Sequence, residues 1–322
     1  MRQLTLRRLI LGLVVWAVVA WASQAPAVWA YTISINQFVE HPSLNEAVRG
    51  FKEQLAELGV EATYLEHNAQ GLLPTVSLIV NQILDEKPDL ILAVATPCAQ
   101  ITAQGIKDIP ILFTAVTDPV DAGLVASLDN PGGNVTGTTD MNPVAEQLAL
   151  ILEIQPGAKN IGVIYNPGEP NSEVQVKLAQ AAAAKLGLTL VEAVAPNSTG
   201  VLQAVQSLVD RVDAIYLPTD NVVISNMETI INVALDQHIP LYPADDSSAR
   251  RGGVAALSIS YSELGRLTGR MAARILKDEA EPATTPVESL KRLSLVVNTR
   301  FASDIFLSVP PSVVQRAQVV IK

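Results

Sequence analysis

The chain contains a single cysteine, Cys98, among its 322 residues. One cysteine excludes an internal disulfide and any metal site that needs several thiolates. Cys98 follows Pro97 at the point where a strand is expected to lead into a helix, and a helix N-terminus can lower the pKa of a thiol. A small buried residue at a tight corner is the simpler interpretation, because no histidine lies near it in the sequence.

Aromatic residues are also scarce, at 4% of the chain, and the three tryptophans Trp16, Trp21 and Trp29 all lie within the first 30 residues. If that segment is removed, the mature chain contains no tryptophan. Clefts that bind sugars usually hold the ring between aromatic faces, so the composition makes a carbohydrate ligand less expected.

Sequence motifs of common enzymes are missing as well. The chain has no G-x-x-x-x-G-K-[ST], H-E-x-x-H, paired C-x-x-C or G-x-S-x-G, and its three histidines are scattered. His41 follows the first expected strand and either lines a cleft or lies at the surface, whereas His67 and His238 are interpreted as structural. We expect no catalysis, no cofactor and no metal site.

The N-terminus has the pattern of a secretory signal. Three arginines among the first eight residues precede an apolar stretch over residues 9–22, and small residues follow where a signal peptidase would cleave, after Ala27 or Ala30. An uncleaved membrane anchor is the alternative, but the stretch is shorter than the roughly 20 residues that span a bilayer. We therefore predict a signal peptide over residues 1–30 and a periplasmic or otherwise extracytoplasmic protein, with no lipid-modified cysteine.

The chain is acidic, with a formal net charge of −10, and loss of the three N-terminal arginines takes it to −13. An acidic surface argues against binding to nucleic acid or to anionic lipid.

Two series of alternating strands and helices follow the N-terminal segment. Such series form parallel sheets that are covered by helices on both faces, so the expected fold class is α/β, with two doubly wound parallel-sheet lobes joined by a multi-strand hinge. The first lobe is predicted to span residues 31–140 with 259–283 returning to it, and the second to span 141–258 with 284–322 packing on it or on the hinge. The expected helices include residues 222–237 and 313–321.

Three apolar strands end at similar corners, namely Thr96-Pro97, Thr117-Asp118-Pro119 and a corner that contains Thr219 and Asp220. Open α/β sheets bind ligands at the carboxyl ends of their strands, where helix N-termini offer free N–H groups. Threonine hydroxyls there suit a carboxylate, and five acids are candidates for an ammonium group: Glu40, Asp118, Asp140, Asp220 and Asp246. Each of these residues could instead cap a helix or a turn.

Seven segments, in order along the chain, resemble the ABC transporter substrate-binding proteins related to the tryptophan-binding component, within the type I periplasmic binding protein fold. They are residues 37–42 (QFVEHP), 95–97 (ATP), 113–120 (FTAVTDPV), 131–137 (PGGNVTG), 165–172 (YNPGEPNS), 212–221 (VDAIYLPTDN) and 295–298 (LVVN). The resemblance implies capture of a small solute, an amino acid that is aromatic in some members, for a membrane permease with a separate ATPase.

Carried over by position, the resemblance implies a monomeric binding protein with a first-lobe wall and a second-lobe wall around the ligand. The residues predicted to bind the ligand are Gln37, Glu40, Thr96, Pro97, Thr117, Asp118, Asp140, Asn166, Asn171, Thr219, Asp220 and Asp246. A receptor that reports to a signalling partner would use the same cleft, and an extracytoplasmic enzyme with an interdomain site is a third possibility.

Overall fold

The computed structural model describes residues 30–322, so the predicted signal segment falls outside the described residues except for Ala30. Residues 31–322 form one compact unit. Within this part of the chain, no helix has both the length and the apolar character needed to cross a bilayer.

The first sheet is built by strands that alternate with helices. In chain order these elements are β1 (Tyr31–Gln37), α1 (Pro42–Glu57), β2 (Ala62–Asn68), α2 (Leu73–Glu86), β3 (Leu90–Val94), α3 (Thr96–Gly105), β4 (Ile111–Val116) and β5 (Val135–Thr139). The strands pair in parallel in the order β2-β1-β3-β4-β5. Every residue of β3 and β4 is buried, as expected for strands with helices on both faces.

The second sheet repeats this arrangement. Its elements are α4 (Val144–Ile154), β6 (Asn160–Tyr165), α5 (Pro170–Leu186), β7 (Thr189–Val194), a 3₁₀ turn (Ser198–Gly200), α6 (Val201–Gln206), β8 (Ala214–Leu217), α7 (Asn221–Ser225), α8 (Met227–Asp236), β9 (Leu241–Pro243) and α9 (Asp246–Gly252). Its parallel order β7-β6-β8-β9 is the order of β2-β1-β3-β4 in the first sheet. The structure thus confirms the predicted α/β class with two doubly wound parallel sheets.

The last part of the chain adds one strand to the first sheet and forms a third sheet. It contains β10 (Ala255–Ser258), α10 (Tyr261–Leu276), a 3₁₀ turn (Pro282–Thr284), β11 (Glu288–Ser289), β12 (Ser294–Asn298), α11 (Thr299–Asp304), α12 (Pro311–Arg316) and β13 (Val319–Ile321). The third sheet has the order β10-β12-β13, with β10 antiparallel and β13 parallel to β12.

Two large hydrophobic cores, one on each doubly wound sheet, define what we call the first and the second lobe. Helix α10 packs in the first core, whereas β12, α11 and α12 contribute to the second. The chain passes between the cores at residues 140–144, 258–261 and 289–294. Strand β11 pairs with β5, so residues 288–289 lie on the first sheet. The sequence-based expectation for these residues is the second lobe or the hinge, and the observed pairing differs from it.

Two predicted helices differ from the structure. Residues 319–321 form β13 because their β-branched side chains favour a strand and the edge of β12 is available for pairing. The helix expected over residues 222–237 is divided at Asn226, whose Nδ2 donates to the Val222 carbonyl at 2.8 Å. An asparagine side chain that bonds to the backbone competes with the helical pattern.

Helices α1 and α10 cross at a contact that only glycine permits. A Cβ atom placed on Gly265 would lie 1.8 Å from the Ala47 carbonyl oxygen, and one on Gly50 would lie 2.1 Å from the Ser262 carbonyl oxygen. The two backbones therefore touch directly. This contact joins segments more than 200 residues apart in the sequence and helps to complete the first lobe.

We expect Gly265→Ala to destabilise the protein, because the added methyl group forces the two helices apart. Overpacking of this kind costs about 1–3 kcal/mol or more. Urea denaturation measures the free energy of unfolding, with Gly157→Ala as the control, since a Cβ there meets no atom within 4 Å. Equal stability of the two variants would contradict this description of the crossing.

Candidate functional site

A cavity between the two lobes is the candidate site. It encloses about 310 Å³ of empty space, counting the part that opens to solvent. The first lobe contributes His41, Ser43, Leu44, Ala115, Thr117, Asp140 and Tyr261, and the second contributes Asn171, Thr219, Asn221, Ile224 and Asp245. Most of these residues follow the carboxyl end of a strand.

The position of the cavity follows from the topology. In each sheet the strand order reverses direction, between β1 and β3 in the first lobe and between β6 and β8 in the second. At such a point the connections leave to opposite faces, and a crevice opens beyond the carboxyl ends of the strands. The two crevices face each other across the cavity.

Asp140 is the buried acid of the first-lobe wall and directly follows β5. Its Oδ1 accepts a hydrogen bond from the Thr117 hydroxyl at 3.0 Å, and its Oδ2 accepts one from the Tyr261 hydroxyl at 2.8 Å. Burial raises the pKa of Asp140 above its usual range, although the two hydroxyls favour the ionised form. A cation brought close to this carboxylate would offset part of the penalty of burial.

Asp245 is the acid of the second-lobe wall and caps the N-terminus of α9. Its Oδ1 accepts from the Ser248 backbone N–H at 2.9 Å and from the Ser43 hydroxyl of the first lobe at 2.7 Å. Its Oδ2 is buried and has no hydrogen-bond partner among the residues that the structure describes. A buried carboxylate oxygen without a donor is costly, so Asp245 presents an unsatisfied acceptor to the cavity.

His41 lies in the seam between the lobes. The pKa of His41 is lowered from 6.5 to about 4, mainly because the imidazole is buried. The negative charge of Asp245 and the Asn221 side chain act in the opposite direction and raise the pKa, whereas the positive charge of Arg251 lowers it further. The imidazole is therefore neutral at pH 7. Its Nδ1 is buried without a partner in the described part of the chain.

Strained backbone shapes the corners of the first lobe. Ala95 and Ala115 both have positive φ angles, of 77° and 56°, which residues with a Cβ rarely adopt. The pairing of β4 with β5 shifts register between Phe113 and Val116, and Ala115 lies within this irregularity and lines the cavity. Such strain clusters at functional sites, where the surrounding structure holds it in place.

Four of the twelve predicted site residues line the cavity: Thr117, Asp140, Asn171 and Thr219. The other eight lie outside it: Gln37, Glu40, Thr96, Pro97, Asp118, Asn166, Asp220 and Asp246. Their roles in binding stay predictions, and the structure shows what most of these side chains contact.

Asp220 is a fully buried helix cap and not part of the cavity wall. Its Oδ1 accepts from the Val223 backbone N–H at 2.8 Å, and its Oδ2 accepts from the Asn166 N–H and the Ser172 hydroxyl, each at 2.6 Å. Both oxygens are therefore occupied. Asn166 itself stabilises the adjacent turn, because its Oδ1 accepts from the Gly168 N–H at 2.9 Å.

Three predicted residues of the first lobe are turned away from the cavity. Gln37 donates to the Val39 carbonyl at 2.9 Å and to Asn45 Oδ1 at 2.8 Å, which fixes the loop before α1. Asp118 accepts from the backbone N–H groups of Val120 and Asp121 in a turn. Glu40 is exposed to solvent.

The corner before α3 is buried beside the cavity. The Thr96 hydroxyl is buried without a partner among the described residues, and Pro97 occupies the first turn of the helix. Cys98 lies 3.0 Å from the Asn36 carbonyl, and burial raises its pKa to about 12. The thiol is therefore protonated at neutral pH, in agreement with the simpler interpretation of this residue.

Asp246, one of the five acids predicted as candidates for the ammonium group, stands one residue away from Asp245, which lines the cavity. Asp246 is the first residue of α9 and lies 3.7 Å from Arg250, its neighbour on the next turn. Asp245 follows β9 as Asp220 follows β8. Which of two adjacent acids faces the cavity depends on where the helix begins.

Several other lining residues carry no distinguishing signal in the sequence. Tyr261 reaches the site from the start of α10, more than 100 residues from Asp140 in the sequence. Leu44 and Ile224 are apolar helix residues without any distinguishing pattern. Within residues 30–322, no group of three or more His, Cys, Asp or Glu side chains has a geometry suited to a metal ion.

The low pKa of His41 predicts a pH effect on stability. As the pH falls, the imidazole of His41 is protonated near pH 6.5 in the unfolded chain but only near pH 4 in the folded chain. The contribution of His41 to the free energy of unfolding is therefore fully present above pH 6.5 and is lost as the pH falls toward 4. The loss is at most about 1.4 kcal/mol per pH unit. Denaturation curves from pH 7 to 5 should show a smaller loss for His41→Gln than for the wild type, and parallel losses would contradict the assignment.

Residues 32–321 match the family described as ABC transporter substrate binding protein. The chain is 40% identical over 272 residues to the tyrosine-binding protein of Clostridioides difficile strain R20291, covering 83% of this chain and 78% of that protein.

Two solved structures show which conformation the present one resembles. A domain from Streptococcus pneumoniae in complex with L-Trp superposes with a TM-score of 0.88 at 35% identity, covering 91% of this chain and 100% of that one. The ligand-free, open structure of a substrate binding protein with adhesive properties from Clostridium difficile has a TM-score of only 0.68, at 37% identity and the same coverage. The identity to the two proteins is nearly equal, and the present structure superposes more closely on the one solved with L-Trp. With its matching family, relatives and type I periplasmic binding protein fold, the chain belongs to the ABC transporter substrate-binding proteins.

Proposed function

We propose that this protein captures an aromatic L-amino acid outside the cytoplasm and delivers it to an ABC importer. The ligand would lie in the cavity between the lobes, with its ammonium group on Asp245. The protein would carry out no chemistry on the ligand, and its partners would be a membrane permease and a separate ATPase.

The observation that carries this proposal is the charge of the cavity. Two buried carboxylates, Asp140 and Asp245, line it, and no lysine or arginine does so among residues 30–322. The Asp245 Oδ2 has no hydrogen-bond partner there. A ligand with an ammonium group supplies both the missing positive charge and the missing N–H donor.

The apolar part of the lining suits a ligand with a hydrophobic side chain. Leu44, Ala115 and Ile224 line the cavity together with the ring of Tyr261. Small-molecule sites commonly combine such apolar walls with a few polar groups that fix orientation. The relatives that bind tyrosine or are solved with L-Trp support an aromatic amino acid as the ligand.

The ligand carboxylate would face the first lobe. The Thr96 hydroxyl is buried without a described partner at the first turn of α3, and the N-terminus of this ten-residue helix favours negative charge. We keep Thr117, which lines the cavity, and Thr96, which lies outside its lining, as the proposed carboxylate side of the site.

Hinge motion between the lobes would admit and release the ligand. Three chain segments pass between the cores, at residues 140–144, 258–261 and 289–294. Closure requires that the ligand bind the closed form more tightly than the open one. Contacts from both walls to one ligand provide that preference.

We expect Asp245→Asn to weaken binding of L-tyrosine and L-tryptophan by about tenfold to a hundredfold, because a hydrogen bond to a charged group contributes roughly 1.5–3 kcal/mol. Isothermal titration calorimetry on residues 31–322 measures the dissociation constants. Asp236→Asn is the matched control, since Asp236 is an exposed acid of the same lobe.

The two variants should behave differently. The control is expected to keep the wild-type affinity and to show the same thermal stabilisation by ligand, which is about 2.7 kcal/mol at a hundred times the dissociation constant. Unaltered affinity of Asp245→Asn would refute the ammonium site, and lack of stabilisation of the wild type by any amino acid would refute the proposed function itself.

A further inference from the structure

Glu169 is a buried acid that stands behind the second-lobe wall and does not line the cavity. It is 2% exposed and immediately precedes α5. Its Oε1 accepts from the Val222 backbone N–H at 3.1 Å, and its Oε2 accepts from the Asn221 backbone N–H at 3.0 Å. Two backbone donors, which cannot turn away, thus hold both oxygens in place.

The same carboxylate also receives the side-chain amides of two cavity residues. Asn221 Nδ2 lies 2.5 Å and Asn171 Nδ2 lies 3.2 Å from Glu169 Oε2. A carboxylate oxygen that already takes a backbone donor accepts only, so each amide must turn its NH₂ group toward Glu169. The carbonyl oxygen of each amide then points the other way.

For Asn171 a second acceptor enforces the same orientation. Its Nδ2 also donates to the Thr219 backbone carbonyl at 2.9 Å, and a carbonyl cannot donate. The Asn171 Oδ1 is buried without a partner among the described residues, and Asn171 lines the cavity.

We propose that Glu169 is a positioning residue that turns the Asn171 carbonyl oxygen into the cavity and thereby makes the site selective for a ligand group rich in N–H donors. This inference rests on the proposed function and adds a determinant of specificity to it. Asn171 Oδ1 and Asp245 Oδ2 are the two unpartnered acceptors on the second-lobe wall. An ammonium group can donate to both, whereas a carboxylate or ether oxygen would meet repulsion there.

Glu169→Gln tests the role with little change of shape. The glutamine amide keeps one oxygen for the backbone donors but directs two N–H groups at its surroundings, so the Asn171 and Asn221 amides lose the acceptor that orients them. The probes are L-tyrosine and its desamino analogue 3-(4-hydroxyphenyl)propionate, which differ only in the ammonium group. Calorimetry, with competition titrations for the weaker ligand, gives both dissociation constants.

The ratio of the two affinities is the decisive readout. We expect Glu169→Gln to weaken L-tyrosine binding by about tenfold or more and to change binding of the desamino acid by less than about threefold. A merely structural role would weaken both ligands by the same factor, and this result would overturn the proposal. Asp213→Asn is the control, because Asp213 also accepts two backbone N–H groups, those of Lys159 and Asn160, outside the cavity. It should leave the ratio unchanged.

Two further measurements keep the test independent of how that variant folds. Asn171→Ala removes the acceptor itself and should shift the ratio in the same direction, so an unchanged ratio counts against the proposal. In the ligand-free wild type, the ¹⁵N-labelled side-chain NH₂ of Asn171 should exchange slowly with solvent, because both of its acceptors are internal. Fast exchange would overturn the assigned orientation of the Asn171 amide, whether or not the wild type binds an amino acid. Failure of the wild type to bind any amino acid is a different outcome, and that outcome would refute the proposed function.

Discussion

The arrangement of the site depends on one electrostatic constraint, which is that two carboxylates are buried between the lobes without a lysine or arginine beside them in the described structure. Asp140 retains two hydroxyl donors, but Asp245 has one oxygen that receives no donor. Burying a charge is unfavourable unless it is paired. In the proposed function, the positive charge of the ligand would offset this electrostatic cost, and this would link ligand chemistry to closure.

Similar residues serve structure and function at neighbouring corners. Asp220 and Asp245 both follow a strand of the second sheet and both cap the following helix. In Asp220 the second oxygen is taken by Asn166 and Ser172, whereas in Asp245 it has no hydrogen-bond partner among the described residues. In the proposed function, the occupancy of this one oxygen atom would distinguish a helix cap from a binding group. The proposed role of Glu169 follows the same principle, because Glu169 would fix which atom of a neighbouring amide remains free.

Few direct hydrogen bonds join the lobes around the cavity. Ser43 donates to Asp245, and Gln175 Nε2 lies 3.5 Å from the Thr117 hydroxyl. His41 adds a neutral, buried imidazole to the same seam. In the proposed function, a seam with so few hydrogen bonds would separate at low cost, and a ligand that touched both walls would add contacts available only in the closed form. This balance suits a protein that must bind its ligand and also release it.

The sequence by itself determined the α/β class, the two βα series, most strand positions and the strand ends at which the site lies. These features follow from local patterns, because continuous apolar runs mark buried parallel strands and polar corners mark their carboxyl ends. The sequence predicted the individual site residues only in part. Thr117, Asp140, Asn171 and Thr219 line the cavity, whereas Asp220 and Gln37 use their polar atoms for local hydrogen bonds. Tertiary structure alone decided that Tyr261 joins Asp140, that Asp245 and not Asp246 lines the cavity, and that residues 319–321 pair with β12. Each of these outcomes depends on atoms from segments that are far apart in the sequence. Which donor bonds to a given carboxylate oxygen is therefore decided only when these segments come together in the folded protein.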